Sequence, residues 1–276
     1  MNNSGKIGSM QYLRSIKIKE GMTFPNQYPF TLPLVRQFQD IKFNAPVTFF
    51  VGENGSGKST LLEAIAAAVG SITVGSDSVS NDATLQPARN LARWIKLIWN
   101  KRTHKGFFLR AEDFFGYAKR LTQMKDQLQE DLITVDKEYI GKTPLAATLA
   151  KIPYARELAD MQQRYGEGLE NVSHGESFLT LFQSRFIPGG LYLLDEPEAP
   201  LSPLRQLSFL SLLKEMVRQD AQFIIATHSP IIMAFPGACI LDFDHYPLQQ
   251  VPYEDLQHVE IMRGFLENPN AYLKHL

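Results

Sequence analysis

The sequence predicts an α/β fold with a mainly parallel sheet and an antiparallel N-terminal portion. Short apolar runs rich in β-branched and aromatic residues, such as Ala45–Val51, are typical of buried strands. In the second half such runs alternate with a helical pattern, as expected for parallel strands joined by helical crossovers. These elements are strands at Leu191–Leu194, Gln222–Ala226 and Ala238–Phe243 and a helix at Leu204–Gln219.

The first half is less regular. Tyr12–Lys19 alternates apolar and charged residues and predicts an early strand, while Phe107–Leu109 predicts a later short one. Leu85–Trp99 predicts an amphipathic helix, because its apolar residues recur at helical spacing. Gly70–Asp82 is rich in Gly, Ser and Asp and predicts a mobile loop. Residues from Phe114 to about Gln163 predict helix, interrupted near Gly141–Pro144 and at Pro153.

Composition narrows the class of protein. The chain has 276 residues, of which 44% are hydrophobic and 21% charged, and its 28 basic and 29 acidic residues give a net charge of −1. No global field would therefore attract nucleic acid or an anionic membrane. The single cysteine, Cys239, excludes an internal disulfide, and Met1–Met10 lacks the apolar core of a signal peptide. No apolar stretch reaches the ~20 residues of a membrane span, so we expect a cytoplasmic protein without membrane insertion.

A phosphate-binding loop follows the strand Ala45–Val51. Gly52–Ser59 reads GENGSGKS and matches GxxxxGK[ST] between a predicted strand and a predicted helix. Its glycines let backbone N–H groups point at phosphate oxygens, Lys58 reaches the β- and γ-phosphates, and the Ser59 hydroxyl ligates Mg²⁺. ATP and Mg²⁺ are the expected ligands. The nucleotide-binding candidates here are Gly52, Glu53, Asn54, Gly55, Ser56, Gly57, Lys58, Ser59 and Thr60.

Three later stretches resemble motifs of the ABC-type ATPases. Leu191–Pro197 (LYLLDEP) resembles their Walker B strand, Val172–Ser177 (VSHGES) their signature, and Ile224–Ser229 (IIATHS) their switch-histidine strand. The motifs occur in family order and at the separations of compact heads, and the resemblance covers about Leu13–Asp244. It implies an ABC-ATPase head as a single domain over residues 1–276, with a helical subdomain at about 85–186 between the P-loop and Walker B.

The resemblance also implies roles for individual residues. Asp195 would hold Mg²⁺ through its water shell, Glu196 would act as general base, and His228 would contact the γ-phosphate. With Lys58 these are the catalytic candidates. Taken alone, Asp-Glu-Pro could instead be a helix N-cap pair, and the histidine could be structural.

The signature would act across a dimer. The resemblance implies that Ser173 and Gly175 close over the γ-phosphate of a second subunit, with Glu176 as a further nucleotide-binding candidate. ATP binding would then drive a head-to-tail homodimer with two ATP molecules between the subunits.

Several positions depart from the transporter pattern. His174 replaces the usual Gly, Glu176 the usual Gln, and Ser202 the usual D-loop Asp. The Q-loop glutamine is not evident. Glu112 or Arg110 lies near its expected place, and Glu112 could help to hold Mg²⁺ or could be a surface acid. The pattern is closer to the SMC/RecF-like and OLD-like branch of AAA-family ATPases, and to small stand-alone ATPases of bacteria.

The partner stays open at this point. Arg89–Lys105 carries six basic residues and no acid, with Trp94 and Trp99 interleaved, which suits phosphate contacts and base stacking on DNA. The same pattern fits an amphipathic helix with a Trp core face and a solvated charged face. The chain could act on DNA in repair or defence, switch a protein effector, or serve a membrane transporter. Tyr28 and Phe30 could stack on adenine or could be packing residues.

Overall fold

The structure is a computed structural model that describes residues 11–21, 23–74, 83–165 and 174–274, without the side chains of residues 115, 118, 164, 165 and 174. The strands are β1 (Leu13–Ile18), β2 (Ile41–Lys42), β3 (Val47–Val51), β4 (Ile95–Trp99), β5 (Phe108–Arg110), β6 (Leu191–Asp195), β7 (Gln222–Ala226), β8 (Cys239–Asp242) and β9 (Gln249–Gln250). The helices are α1 (Pro33–Arg36), α2 (Lys58–Val69), α3 (Gln86–Ala92), α4 (Ala111–Glu138), α5 (Pro144–Tyr165), α6 (His174–Arg185), α7 (Pro203–Arg218), α8 (Pro230–Met233), α9 (Gln257–Glu267) and α10 (Pro269–Leu273), with 3₁₀ turns at Ala83–Leu85 and Tyr253–Asp255.

A six-stranded sheet forms the centre, in the order β5-β6-β7-β3-β8-β9. All neighbouring pairs are parallel except β8 with β9. Every residue of β3, β6 and β7 is buried, because these strands lie between two apolar layers. One layer contains residues of α6 and α7, and the other contains residues of α2 and of the N-terminal strands. The predicted α/β fold is confirmed.

A second sheet, antiparallel and three-stranded, has the order β2-β1-β4. This confirms the predicted early strand and the antiparallel N-terminal portion. The Gln222 side chain connects the two sheets, because its amide accepts from Leu13 N at 2.9 Å and donates to Leu13 O at 2.9 Å. A buried amide whose oxygen and nitrogen both bond one residue fixes the position of β1 over β7.

The predicted helix Leu85–Trp99 is wrong over its second half. Helix α3 ends at Ala92, and β4 follows, paired antiparallel with β1 from Ile95 to Trp99. The β-branched and aromatic residues of this segment suit a strand, and β1 supplies the ladder hydrogen bonds that settle its conformation. The two long helices between the P-loop and β6, α4 and α5, begin at Ala111, and the subdomain bounds of about 85–186 stay a prediction.

The predicted interruption near Gly141–Pro144 is confirmed, since it separates α4 from α5, but the predicted break at Pro153 is wrong. Pro153 lacks an N–H for the Leu149 carbonyl, yet both residues are exposed, so water can satisfy that carbonyl. In the predicted loop Gly70–Asp82, Thr73 forms a parallel bridge with Phe108, and residues 75–82 lie outside the described residues.

Gly106 allows β5 to lie directly against β6. Its φ is +112°, and a Cβ at this position would lie 1.9 Å from the Leu191 carbonyl oxygen. The residues on either side of Gly106 are hydrogen-bonded to β6. The Leu191 N–H donates to Lys105 O and the Leu193 N–H donates to Phe107 O, each at 3.0 Å. The backbone therefore cannot move away without breaking these bonds.

We expect Gly106→Ala to lower the free energy of unfolding by more than about 3 kcal/mol, because the methyl group overlaps the backbone of β6. The control is Gly141→Ala, at a glycine with φ +85° where a Cβ would have no other atom within 4 Å; it should cost only about 1 kcal/mol. Urea unfolding of both variants measures the difference. Equal costs would contradict the importance of the close approach.

Candidate functional site

The loop between β3 and α2 curls around the Lys58 ammonium. The Nζ atom donates to Gly52 O at 2.7 Å and to Glu53 O at 2.8 Å, and the residue is 5% exposed. Gly57, directly before α2, has a φ of +97°, which an L-residue rarely adopts. Burial lowers the pKa of Lys58, while the carboxylates of Asp244 and Asp195 oppose this shift. The loop thus places a positive charge at the start of a helix, which is an anion-binding arrangement.

Residues far along the chain hold this loop in shape. The Glu53 N–H donates to Asp244 Oδ1 at 2.7 Å, and the Tyr246 hydroxyl donates to Ser56 O at 2.8 Å. Gly52 is needed here because a Cβ would lie 2.8 Å from the same Asp244 oxygen. Sequence analysis did not identify Asp244 or Tyr246, since no local pattern signals a contact across some 190 positions.

Asp195 lies at the carboxyl end of β6 and accepts a hydrogen bond from the Ser59 hydroxyl at 3.1 Å. Burial raises the pKa of Asp195 to about 7, the Ser59 hydrogen bond opposes this, and the charges of Glu63 and Glu196 add to it. A hydroxyl beside a buried carboxylate is an oxygen donor set of the kind Mg²⁺ prefers. Among the described residues, no group of three His, Cys, Asp or Glu side chains is placed to hold a metal.

Glu196 and His228 face each other across the ends of β6 and β7. Glu196 Oε1 lies 4.0 Å from His228 Nε2, and the two side chains are 50% and 40% exposed. Glu196 has a φ of +50°, which is unusual for a residue other than Gly, Asn or Asp, and its N–H donates to Ala226 O at 2.9 Å. Strained backbone of this kind persists where neighbouring contacts impose it, often at functional sites.

A third acid of this region, Glu198, was missed in sequence analysis. Its Oε1 accepts a hydrogen bond from the backbone N–H of His228 at 2.6 Å. The available signal was the repeated acid in Asp195-Glu-Pro-Glu, which places a further carboxylate on the loop after β6.

Ser173 of the signature lies outside the described residues, whereas Gly175 and Glu176 form the start of α6. A Cβ on Gly175 would lie 3.1 Å from Pro200 O, and Glu176 forms an ion pair with Arg205. The signature helix therefore packs against the segment that follows Walker B. Ser202, at the D-loop position, caps α7 by accepting from Arg205 N at 3.4 Å.

Glu112 lies in the first turn of α4 and is 73% exposed. It forms an ion pair with Arg110 at 3.2 Å. Arg110 is buried at the end of β5, in register with Asp195, and also bonds Asp113 and contacts Glu63 at 3.6 Å. The carboxylate of Glu112 is therefore paired with the Arg110 guanidinium, and the role of Glu112 as a Mg²⁺ ligand stays a prediction.

The aromatic candidates lie in different environments. Phe30 is a packing residue, 2% exposed, with its ring 4.9 Å from that of Trp94. Tyr28 is 54% exposed, and its hydroxyl bonds the Thr60 hydroxyl at 2.8 Å. Trp94 also stacks on Phe24, at 5.4 Å. Trp94 therefore faces inward rather than toward a base.

The remaining part of the basic segment is exposed. Its exposed basic residues lie directly after α3, within β4 and in the loop after β4. Among them, Lys96 lies directly opposite Lys17 of β1. Lys17 forms an ion pair with Asp40. These exposed residues are Arg93, Lys96, Lys101, Arg102 and Lys105.

Comparison with known proteins gives two family models. One, described as "AAA domain", matches residues 16–139, and the other, described as "AAA domain, putative AbiEii toxin, Type IV TA system", matches residues 171–234. An "Uncharacterized ABC transporter ATP-binding protein" of Haemophilus influenzae is 26% identical over 250 residues, or 88% of each chain. The "Cobalt import ATP-binding protein CbiO" of Salmonella typhimurium is 25% identical over 187 residues, or 67% of this chain and 62% of that protein.

Among solved structures, the SMC head domain from Thermotoga maritima is 16% identical, with a TM-score of 0.42, over 88% of this chain and 99% of that chain. The CbiO1 structure from Clostridium perfringens is 17% identical, with a TM-score of 0.42, over 86% and 91% of the two chains.

Asp195 should make the stability of the ligand-free protein depend on pH. Its pKa rises from 3.8 to about 7 on folding, so the unfolded chain releases this proton first as the pH increases. The stabilisation is full below the unfolded pKa and is lost as the pH approaches 7. Between about pH 5 and pH 7 the wild type should lose about 2–3 kcal/mol more stability than Asp195→Asn.

Urea unfolding without nucleotide or Mg²⁺ measures this difference. Asp160→Asn, at an exposed position of α5, serves as the control and should follow the wild type. Parallel pH profiles for wild type and Asp195→Asn would contradict the raised pKa.

Proposed function

Since the chain is an ATP hydrolase of the ABC/AAA type with a P-loop, we propose that it hydrolyses ATP with Mg²⁺ at a site completed in a head-to-tail dimer. One observation carries the proposal: the predicted catalytic side chains meet at a single edge of the sheet. Lys58 follows β3, Asp195 and Glu196 end β6, and His228 follows β7. Because these strands are parallel, their carboxyl ends form one rim.

The P-loop would bind the triphosphate. Lys58 and the backbone N–H groups at the start of α2 supply positive charge and hydrogen-bond donors for the β- and γ-phosphates. In the ligand-free loop, the Lys58 ammonium is held by carbonyls of Gly52 and Glu53. On nucleotide binding, the ammonium would exchange these carbonyls for phosphate oxygens.

The Ser59 hydroxyl and the Asp195 carboxylate are the residues that fit Mg²⁺. The metal, when bound, would neutralise charge that develops on the phosphate oxygens. Glu112 is a further candidate ligand, although its contact with Arg110 competes for its carboxylate. Ser59, at the start of α2, and Asp195, at the end of β6, are hydrogen-bonded to each other and would together hold the metal.

Glu196 is the proposed general base. In the reaction, a water oxygen forms a bond to the γ-phosphorus while the bond from that phosphorus to the β,γ-bridging oxygen breaks. The water proton passes to the Glu196 carboxylate, and ADP and phosphate leave. His228, 4.0 Å from Glu196, would hold the γ-phosphate and the water in line.

The half-exposed positions of Glu196 and His228 support a dimer. A second subunit would cover these side chains and exclude bulk water from the reaction. The signature residues Ser173, Gly175 and Glu176 would approach the γ-phosphate of the partner, as their resemblance to the ABC signature implies. ATP binding would then favour association, and hydrolysis would favour separation.

DNA is the proposed partner of the dimer. The observation in favour is the exposed basic surface of Arg93, Lys96, Lys101, Arg102 and Lys105. Lys96 lies opposite Lys17, whose ammonium is paired with Asp40, so Lys96 is the member of this pair that would contact a phosphate. Since Trp94 packs inward, the contact would be with phosphates and not with bases.

A protein effector is the second candidate, favoured by an apolar cavity. The cavity has a volume of about 690 Å³ and adjoins Glu198 and His228, with Met262 and Leu266 of α9 in its wall. Both of these side chains are largely exposed, at 48% and 70%. An effector seated there would sense the state of the catalytic edge.

A transporter role is a third candidate, since the two similar proteins from Haemophilus influenzae and Salmonella typhimurium are named as transport ATP-binding proteins; it would need a separate membrane partner. In the described part of the chain, no helix combines the length and apolar character of a membrane span.

Glu196→Gln should abolish proton transfer while preserving ATP binding. We expect turnover to fall at least about 100-fold and an ATP-dependent dimer to accumulate, measured by phosphate release and by light scattering after size-exclusion chromatography. Glu215→Gln, on the exposed surface of α7, is the matched control and should keep wild-type turnover. A Glu196→Gln protein that hydrolyses ATP as a monomer at the wild-type rate would refute the role of Glu196 and the dimer.

Neutralising the basic surface should weaken binding to double-stranded DNA. For the fourfold Ala variant of Arg93, Lys96, Lys101 and Arg102, we expect at least about tenfold lower affinity and a shallower salt dependence. Fluorescence anisotropy at two salt concentrations measures both. The control neutralises two Lys and two Arg elsewhere, the exposed Lys119, Arg120, Lys137 and Arg156 of α4 and α5. Equal effects of the two variants, or no binding by the wild type, would favour the protein effector.

A further inference from the structure

Glu198 connects the two loops that carry the proposed catalytic pair. It lies on the loop after β6, two residues beyond Glu196, and its Oε1 accepts the backbone N–H of His228 at 2.6 Å. In the opposite direction, the Glu196 N–H donates to Ala226 O at the end of β7, at 2.9 Å. The loop after β6 therefore donates one hydrogen bond to β7, and the loop after β7 donates one to Glu198. Together these two hydrogen bonds fix the position of one loop relative to the other.

The buried surroundings of Glu198 strengthen its hydrogen bond to His228. Its Oε2 is buried and accepts no hydrogen bond from a described residue. Burial raises the pKa of Glu198, and hydrogen bonds from the His228 N–H, from the N–H of Glu198 itself and from the Thr227 hydroxyl oppose that shift. A hydrogen bond to a buried carboxylate is charge-assisted, so the bond from the His228 N–H at 2.6 Å is a strong one.

The segment beyond His228 is anchored by a separate set of contacts. The Ser229 hydroxyl donates to Gln206 Oε1 at 2.5 Å and accepts from Ile232 N at 3.2 Å, capping α8. On the other side, Thr227 N donates to Phe50 O at 3.2 Å. His228 lies between these two anchored residues, and the hydrogen bond to Glu198 holds the peptide N–H of His228 itself.

We propose that Glu198 is a positioning residue that sets the location of the His228 imidazole relative to the Glu196 carboxylate, without touching substrate. This inference rests on the proposed roles of Glu196 and His228. Without the acceptor, the His228 peptide can rotate, and the imidazole loses its alignment with the γ-phosphate. A displacement of about 1 Å at a catalytic group can cost about 100-fold in rate. Nucleotide binding, which depends on the P-loop, should be unaffected.

The test compares Glu198→Ala with Glu198→Gln. The alanine variant removes the acceptor, so kcat should fall about 30-fold while KM stays within about twofold. The glutamine variant keeps a carbonyl oxygen at the Oε1 position and should retain kcat within about threefold of the wild type. Glu215→Ala on the surface of α7 is the matched control. ATP affinity and urea unfolding of each variant establish that the protein is folded and loaded.

A double-mutant comparison with His228→Ala tests whether Glu198 acts through His228. If it does, Glu198→Ala should slow the His228→Ala enzyme by less than about threefold, because the imidazole to be positioned is already absent. Three results would overturn the inference: wild-type kcat in folded Glu198→Ala, equal losses in the Ala and Gln variants, or full additivity with His228→Ala. A His228→Ala enzyme with wild-type kcat would instead refute the proposed role of His228 itself.

Discussion

The ammonium of Lys58, enclosed by the carbonyls of its own loop, is the constraint around which the catalytic edge is arranged. A positive charge at 5% exposure needs compensation, and the Gly52 and Glu53 carbonyls provide it directly. Carboxylates at the ends of two strands, Asp195 of β6 and Asp244 after β8, provide it at longer range. The parallel order of the strands brings these groups to one rim, and burial on both faces of the sheet keeps them there.

Much of the fold was predictable because its central strands are continuous apolar runs. Residues of β3, β6 and β7 are buried on both faces, so their hydrophobicity carries the signal. The strand β4 was not predictable from its own sequence, since Trp94, Ile95 and Ile98 fit a helical spacing as well as a strand. Pairing with β1, 77 or more positions earlier in the chain, decided the outcome. A tertiary contact outweighed local periodicity.

The candidate site was predictable only where its residues occur in local motifs. Lys58, Asp195 and His228 lie in short stretches whose spacing reflects the chemistry of phosphate and metal. By contrast, Asp244, Tyr246 and Glu198 act through single hydrogen bonds to backbone groups of another segment. Such bonds need one acceptor or donor at the right place and leave no pattern. Arg110 falls between these two cases. Its place after a predicted strand was evident from the sequence, but its contacts with three acidic residues were not.

The bonds from Asp244 and Tyr246 to the P-loop have a consequence for the synthesis of this protein. The loop Gly52–Ser59 is translated before the two groups that hold it, which follow Glu53 and Ser56 by 191 and 190 positions. A nascent chain on the ribosome therefore carries the phosphate loop without these two hydrogen bonds until Asp244 and Tyr246 have emerged. The loop can take the geometry seen here only after Asp244 and Tyr246 have emerged, by which point the strands of both sheets up to β8 have also been made.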